Sequence, residues 1–176
     1  MGTNGKIERG GDRRRENMEP PAEFERRHAV ADRRLKNNRQ LVTFYLEDHF
    51  FGIAVEKVQE AFSSKAMTSV PMAPPTIAGL INLRGQIIMT IDLRIRLGFQ
   101  SRPSGDASMS IVVRTAEGPV NLLVDKIGDV MLVHPDLFET PPKTLEKQMS
   151  ETIDGVYKLE DRLLLALNTE LATQVI

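Results

Sequence analysis

From residue 40 onward, short apolar runs alternate with clusters of turn-forming residues. Leu41–Leu46 and Ile111–Thr115 are rich in β-branched and aromatic side chains, which predicts strands. Glu47-Asp48-His49 and Ala116-Glu117-Gly118-Pro119 are turn-like, so Phe51–Val55 and Val120–Val124 read as the return strands of two hairpins. Further runs follow Gly79 and Gly155, and others occupy Ile87–Ile91 and Leu163–Leu167. Brief strands punctuated by Gly, Pro and Asp are the pattern of small closed barrels, which leave no open sheet edge.

The runs recur. At an offset of 69 residues, Val55-Glu56-Lys57-Val58-Gln59-Glu60-Ala61 meets Val124-Asp125-Lys126-Ile127-Gly128-Asp129-Val130, and Val42, Phe44, Phe51 and Ile53 meet Ile111, Val113, Val120 and Leu122. At an offset of 76, Ile77-Ala78-Gly79-Leu80 meets Ile153-Asp154-Gly155-Val156, and Ile87–Asp92 meets Leu163–Asn168. The change of offset places seven extra residues of the second copy between Met131 and Ile153, around Pro135, Pro141 and Pro142. Two collinear blocks that keep polar positions predict a duplication, with half-repeats at about 40–100 and 108–176. A half of about 65 residues is marginal for a core of its own, so a shared interface is expected, with exchange of strands between halves as one form it can take. The fold class expected is all-β: two pseudo-symmetric five-stranded SH3- or OB-like barrels sharing a core.

Asp92 and Asn168 are equivalent and each ends a run. Both residue types cap helices, because a side-chain oxygen accepts from a free amide of the first turn, so short helices are expected after each. Gly98 suits the end of the first. A phosphoacceptor role for Asp92 is outweighed, since the repeat replaces it with Asn and a cap explains both.

Charge reveals a boundary. The 176 residues carry 23 basic and 24 acidic side chains, for a net charge of −1. Residues 1–39 hold 11 basic and 7 acidic side chains, while 40–176 hold 12 and 17. Residues 1–38 have few apolar positions, several glycines and an Arg13-Arg14-Arg15 run, so a disordered or conditionally helical arm is expected before a domain at 39–176. Pro20-Pro21 can start a helix through Phe24, Arg27, Ala31 and Leu35. A solvated arm and a contact of its Arg clusters with an acidic partner or lipid headgroups both stay open.

Little supports catalysis. There is no Cys, hence no disulfide framework and no thiolate zinc site. His28, His49 and His134 lack partners at metal-ligand spacing, and there is no Gly-rich phosphate loop or GxSxG elbow. No cofactor is expected. No apolar run approaches a membrane span, and no apolar segment suggests a signal peptide, so a cytoplasmic protein without membrane insertion is expected. The near-zero net charge and acidic body argue against nucleic acid.

Duplication separates scaffold from site, because positions that differ between copies are free to carry function. Arg84-Gly85 stands where the second copy has Glu160-Asp161. Arginine beside glycine at a turn presents a permanently charged bidentate donor on little backbone bulk, which suits docking to a partner carboxylate or carbonyl. A solvated turn residue is the plain alternative. Glu60 and Asp129 are shared acids that also fit edge protection.

Val70-Pro71-Met72-Ala73-Pro74, Gly79-Leu80-Ile81-Asn82-Leu83-Arg84-Gly85, Ile87-Ile88 and Ile91-Asp92-Leu93-Arg94 together resemble the CheW family of chemotaxis coupling proteins. Phe51-Gly52-Ile53, Lys57–Glu60, Val124–Val130, Gly155 and Asp161-Arg162 extend the resemblance over residues 39–173. It implies two β-barrel subdomains, no enzymatic activity, and an adaptor between the cytoplasmic tip of chemoreceptors and the regulatory domain of the histidine kinase CheA. Other CheW-like domains in receptor arrays are further partners it implies. By motif, Arg84 and Gly85 fall in the sensitive turn and Val58 and Glu60 line the adjacent strand end. Ile87 joins this receptor- and kinase-binding set, and Ile127 and Val130 would give apolar groove surface. Met89 replaces a usual proline, which implies a less kinked strand end. The basic arm lies outside the family pattern and leaves a non-flagellar chemosensory system, such as pilus-based motility, as an alternative. A small barrel binding nucleic acid or a ligand is the reading from another class.

Overall fold

The computed structural model describes residues 38–103 and 107–174, so the expectations for the arm lie outside the described residues. The first half supplies β1 (Arg39–Leu46), β2 (His49–Ala54), β3 (Val58–Ser63), β4 (Ile77–Leu83), β5 (Gln86–Asp92) and a one-turn helix α1 (Leu93–Arg96). The second supplies β6 (Met109–Thr115), β7 (Gly118–Val124), β8 (Lys126–Val133), β9 (Phe138–Glu139), α2 (Lys147–Ser150), β10 (Ile153–Lys158), β11 (Leu163–Leu167) and α3 (Thr169–Thr173).

The described strands form two sheets, ordered β8-β1-β2-β11-β10-β9 and β3-β6-β7-β5-β4. Each half gives its first two strands to one sheet and its later strands to the other. We call these barrel I (β1, β2, β8–β11) and barrel II (β3–β7). Their registers coincide. Gly52 faces Ala166 in barrel I as Asn121 faces Thr90 in barrel II, in parallel pairs. Phe44 faces Ile127 as Val113 faces Val58. Register shifts recur at Ile77/Gly79 and Ile153/Gly155.

Closure is duplicated too. The segment after the third strand of each barrel returns to the fourth, through Thr68↔Leu80 in barrel II and Glu139↔Val156 in barrel I. The two-residue β9 is thus the counterpart of the Thr68 bridge, and it makes the first sheet six-stranded. The rest of the insertion in the second copy holds α2. Gly79 and Gly155 permit this closure: a Cβ on either would lie 2.6 Å from the carbonyl oxygen of Thr68 or of Glu139. No real Cβ sits so close to backbone, which is why both copies keep glycine.

Side chains alternate along the strands and fill three cores. One face of β1, β2, β6, β7 and β11 contributes Phe44, Phe51, Ile111, Val113, Leu122 and Leu165 to a core shared by the barrels. The opposite faces fill each barrel, with Leu41, Phe50, Tyr157 and Leu164 in barrel I and Ile81, Leu83, Ile88 and Val112 in barrel II. Strands buried on both faces read as continuous apolar runs, as observed.

The caps fall where the pattern placed them. Asp92 accepts from the Arg94 N–H at 3.0 Å and the Ile95 N–H at 3.5 Å, and Asn168 accepts from the Leu171 N–H at 3.0 Å. Gly98 follows α1 with a left-handed backbone, φ 89°. Met89 sits in unbroken pairing with Leu80 and packs against the shared core.

Candidate docking site

The β4–β5 hairpin explains each residue of Asn82-Leu83-Arg84-Gly85. Leu83 pairs with Gln86 and is buried, which anchors the turn to the interior of barrel II. Only two residues then connect the strands, and both are left-handed, with φ 55° at Arg84 and 87° at Gly85. Such a turn matches the twist of its strands. The Asn82 side-chain oxygen accepts from the Gly85 N–H at 2.9 Å and fixes it. A Cβ on Gly85 would meet nothing within 4 Å, so backbone conformation and not space demands glycine. Three of the four residues build the turn, and the fourth projects.

Arg84 is the projecting residue, with its side chain 80% exposed. Its guanidinium donates to Glu60 on β3 at 3.2 Å, and Glu60 is only 22% exposed. An ion pair this open contributes about 0–1 kcal/mol, so it poses the arginine more than it holds the fold. The remaining guanidinium donors face solvent. Ile87 is exposed just beyond the turn.

The candidate residues divide between the barrels. Val58, Glu60, Arg84, Gly85 and Ile87 lie on barrel II, while Ile127 and Val130 lie on β8 of barrel I. Val58 and Ile127 are equivalent positions, half-buried against the shared core, so their visible role is packing. Val130 is exposed, and so is Leu132 two residues on, on the same side of β8. Leu132 was not anticipated. Its counterpart at the 69-residue offset is Ser63, as Ala61 is that of Val130, and this apolar-for-small difference was the available signal.

A polar cluster was also missed. Asp125, between β7 and β8, accepts from Arg94 Nε at 2.7 Å, from a terminal nitrogen of Arg94 at 2.6 Å, from Arg102 at 2.6 Å and from the Glu47 N–H at 2.7 Å. Burial alone would raise this carboxyl, but hydrogen bonds from Arg94, the Glu47 N–H and Arg102 outweigh it and hold it below the ordinary carboxylate range. The hydrogen bond to Asp125 raises Arg94 in turn, against the effect of burial. The cluster ties the first hairpin, α1, the segment before β6 and the end of β7 together, which makes it structural.

Two clefts open on barrel I, of about 530 and 580 Å³, and share Tyr45, Phe50, Asp161 and Arg162 as a common wall. The Arg162 guanidinium lies 5.2 Å from the Phe50 ring centroid and donates to the Tyr45 hydroxyl at 3.2 Å. Among the described residues no group of His, Asp and Glu could hold a metal ion, and no helix is long and apolar enough to cross a membrane. The arrangement offers projecting donors beside exposed apolar side chains.

The model of the CheW-like domain family matches residues 40–175. A chemotaxis protein CheW of Bacillus subtilis is 31% identical over 130 residues, covering 74% of this chain and 83% of its own length. A probable chemotaxis protein CheW of Rhizobium etli is 28% identical over 138 residues, covering 77% and 87%. Among solved structures, the scaffolding protein TtCheW of Thermoanaerobacter tengcongensis superposes with a TM-score of 0.70 at 29% identity, over 78% of this chain and 94% of that one.

Proposed function

The chain belongs to the CheW-like domain family, and from that premise we propose that it is a non-catalytic chemotaxis adaptor coupling chemoreceptors to the histidine kinase CheA. The observation that carries this reading is the Arg84 turn: a rigid hairpin tip spends three residues on holding one exposed arginine in a left-handed conformation. In this reading Arg84, Gly85, Glu60 and Ile87 on barrel II meet a partner protein. Val58 and Ile127 brace the margin of the shared core, and Val130 adds apolar contact from β8. The receptor tip and the kinase regulatory domain are the two partners, and other CheW-like domains extend the assembly. The adaptor works in the cytoplasm and is recruited to receptor arrays. It needs no chemistry of its own. It binds both partners at once, so a receptor conformation that favours one arrangement of the assembly biases the state of the bound kinase through the coupling between the two binding sites.

The test is reconstitution of the full chain with CheA and vesicles carrying a receptor signalling fragment. The wild-type protein is expected to carry CheA into the vesicle pellet and raise its autophosphorylation. Arg84→Glu reverses the charge at an exposed turn, so it should leave the melting temperature within about 1–2 °C while lowering co-sedimentation about tenfold or more. Full co-sedimentation by the variant would refute the role given to Arg84.

A further inference from the structure

The outer faces of the strand pairs β4–β5 and β10–β11 are equivalent, and only one of them is covered. Leu80 faces Met89 in barrel II as Val156 faces Leu165 in barrel I. Val156 and Leu165 are buried, at 1% and 5% exposure. Leu80 and Met89 are half-buried, and Ile87, on the same side of β5 as Met89, is 62% exposed.

The cover of barrel I comes from the longer connecting segment of the second copy. Both segments have the same anchors. Each leaves the bridge that closes its barrel, at Thr68 or Glu139, and ends at a threonine, Thr76 or Thr152. The carbonyls of those threonines accept from the Asp92 N–H at 2.8 Å and the Asn168 N–H at 2.9 Å. Twelve residues lie between the anchors in the second copy and only seven in the first. The twelve form α2 and lay Leu145 and Met149 on the sheet. Met149 is buried in one cluster with Val156 and Leu165, and Leu145 packs against that cluster and lines a cleft with both. The seven include Pro71, Pro74 and Pro75, which suit no helix, and they make a turn closed by the Ala73 N–H on the Val70 carbonyl. Barrel II thus keeps the apolar face and the backbone register that receive a helical turn in barrel I, without the turn. This open face is continuous with the docking site: Ile87 adjoins the Arg84 turn, and Met89 lines a cleft of about 310 Å³ with Glu117, Glu170 and Gln174.

We propose that the outer face of β4–β5 is a docking seat for a helix of a partner protein. The chemistry of that helix is set by the internal counterpart: leucine or methionine side chains about one turn apart on one side, as Leu145 and Met149 are presented in barrel I. The proposal rests on the coupling reading above and adds to it the kind of element that lies beside Arg84.

Replacing residues 69–75 of the full chain with residues 140–151 gives barrel II a cover of its own between matched anchors. Its melting temperature is compared with that of the same graft carrying Leu145→Gln and Met149→Gln, and co-sedimentation with CheA and receptor vesicles is measured for both. The apolar graft is expected to melt about 4 °C or more above the glutamine graft and to bind one or both partners about tenfold less. The glutamine graft should bind within about threefold of wild type. Equal melting temperatures would show that the face does not hold such a turn, and full binding of both partners by the apolar graft would show that no partner uses it. Either result overturns the proposal. Ile87→Gln tests the face in the native segment, so the question stays open to measurement even if neither graft folds. It should lower binding about fivefold or more with the melting temperature within about 2 °C of wild type, and undiminished binding would equally overturn the proposal. The melting comparison involves no partner. Failure of the wild-type chain to bind CheA and receptor would therefore count against the coupling reading, whereas equal melting of the two grafts counts against the helix seat.

Discussion

Barrel I and barrel II share a backbone register and differ in what fills it. At three neighbouring positions, a facing parallel pair and the residue diagonal to it on the antiparallel strand, barrel I has Ala166, Gly52 and Leu41, while barrel II has Thr90, Asn121 and Ser110. In barrel I the glycine makes room for the leucine: a Cβ on Gly52 would approach the Leu41 side chain to 3.1 Å. In barrel II the larger Asn121 stands beside the smaller Ser110, and its amide donates to Ser110 Oγ at 3.2 Å and to Thr90 Oγ1 at 3.1 Å, all buried. Size moved from one strand to its neighbour and polarity moved with it, while hydrogen-bond register and glycine-dependent closure stayed. Duplication therefore conserved the backbone solution and left the side chains free to pair in different ways.

The hairpin turns repeat this with inverted charge. In barrel I the Glu47 N–H donates to Asp125, and Arg94 of α1 is the base. In barrel II the Ala116 N–H donates to Glu170 of α3, and Lys57 is the base. The acid has moved from the segment after the second strand to the helix. The two versions also differ in depth. The side chains of Asp125, Arg94 and Arg102 are 17%, 14% and 9% exposed, whereas Lys57 and Glu170 are 46% and 41% exposed.

Depth sets the largest expected effect. Asp125→Ala leaves two mostly buried arginines without their carboxylate, which should cost about 3–5 kcal/mol, read by urea unfolding at neutral pH. The pH dependence has a definite sign. The folded Asp125 carboxyl is held below its unfolded value, so the stabilisation is fully present above the unfolded value, near about 3.9, and is lost as pH falls through the folded one. Wild type should therefore lose stability on acidification below about pH 4, and Asp125→Asn should show a shallower loss there. Parallel acid profiles for the two proteins would remove Asp125 from the account.

The interiors predict a smaller, coupled effect. Gly52→Asn places the barrel II residue against Leu41 and buries an amide with no partner, at a cost of about 2–3 kcal/mol. Adding Leu41→Ser restores both the room and a hydroxyl partner. The double variant should be more stable than the sum of the single changes by about 1 kcal/mol or more in chemical denaturation. Additive losses would show that the two positions do not trade space.

Legibility followed the reach of each interaction. The caps at Asp92 and Asn168 could be read because a cap involves one side chain and amides two or three residues ahead. The duplication was readable because both copies keep the alternation that buries strands on two faces. The shared glycines at 79 and 155 were visible, but their cause was not, since the carbonyls they clear belong to Thr68 and Glu139 on a returning segment. Asp125 meets Arg94 and Arg102 across 31 and 23 residues, and no local pattern announces that meeting. At the site, Arg84 stood out because the other copy lacks it. Val58 and Ile127 resemble surface positions in a chain of alternating residues, yet pairing with Val113 and Phe44 turns them toward the shared core.

The smallest effect belongs to the exposed version of the hairpin contact. Glu170→Gln removes the ion pair with Lys57, whose 3.4 Å separation lies in water at both ends. Glutamine keeps an oxygen that can accept from the Ala116 N–H, so the turn stays closed and only the charge is lost. The expected cost is about 0.2–0.5 kcal/mol at low salt, fading toward zero at about 1 M salt, where screening acts over about 3 Å. Urea unfolding of wild type and variant at both salt concentrations reads this directly. A cost that persisted in high salt, or that approached the Asp125 value, would mean that the two hairpins are held with equal strength, and that burial does not separate the two versions of the contact.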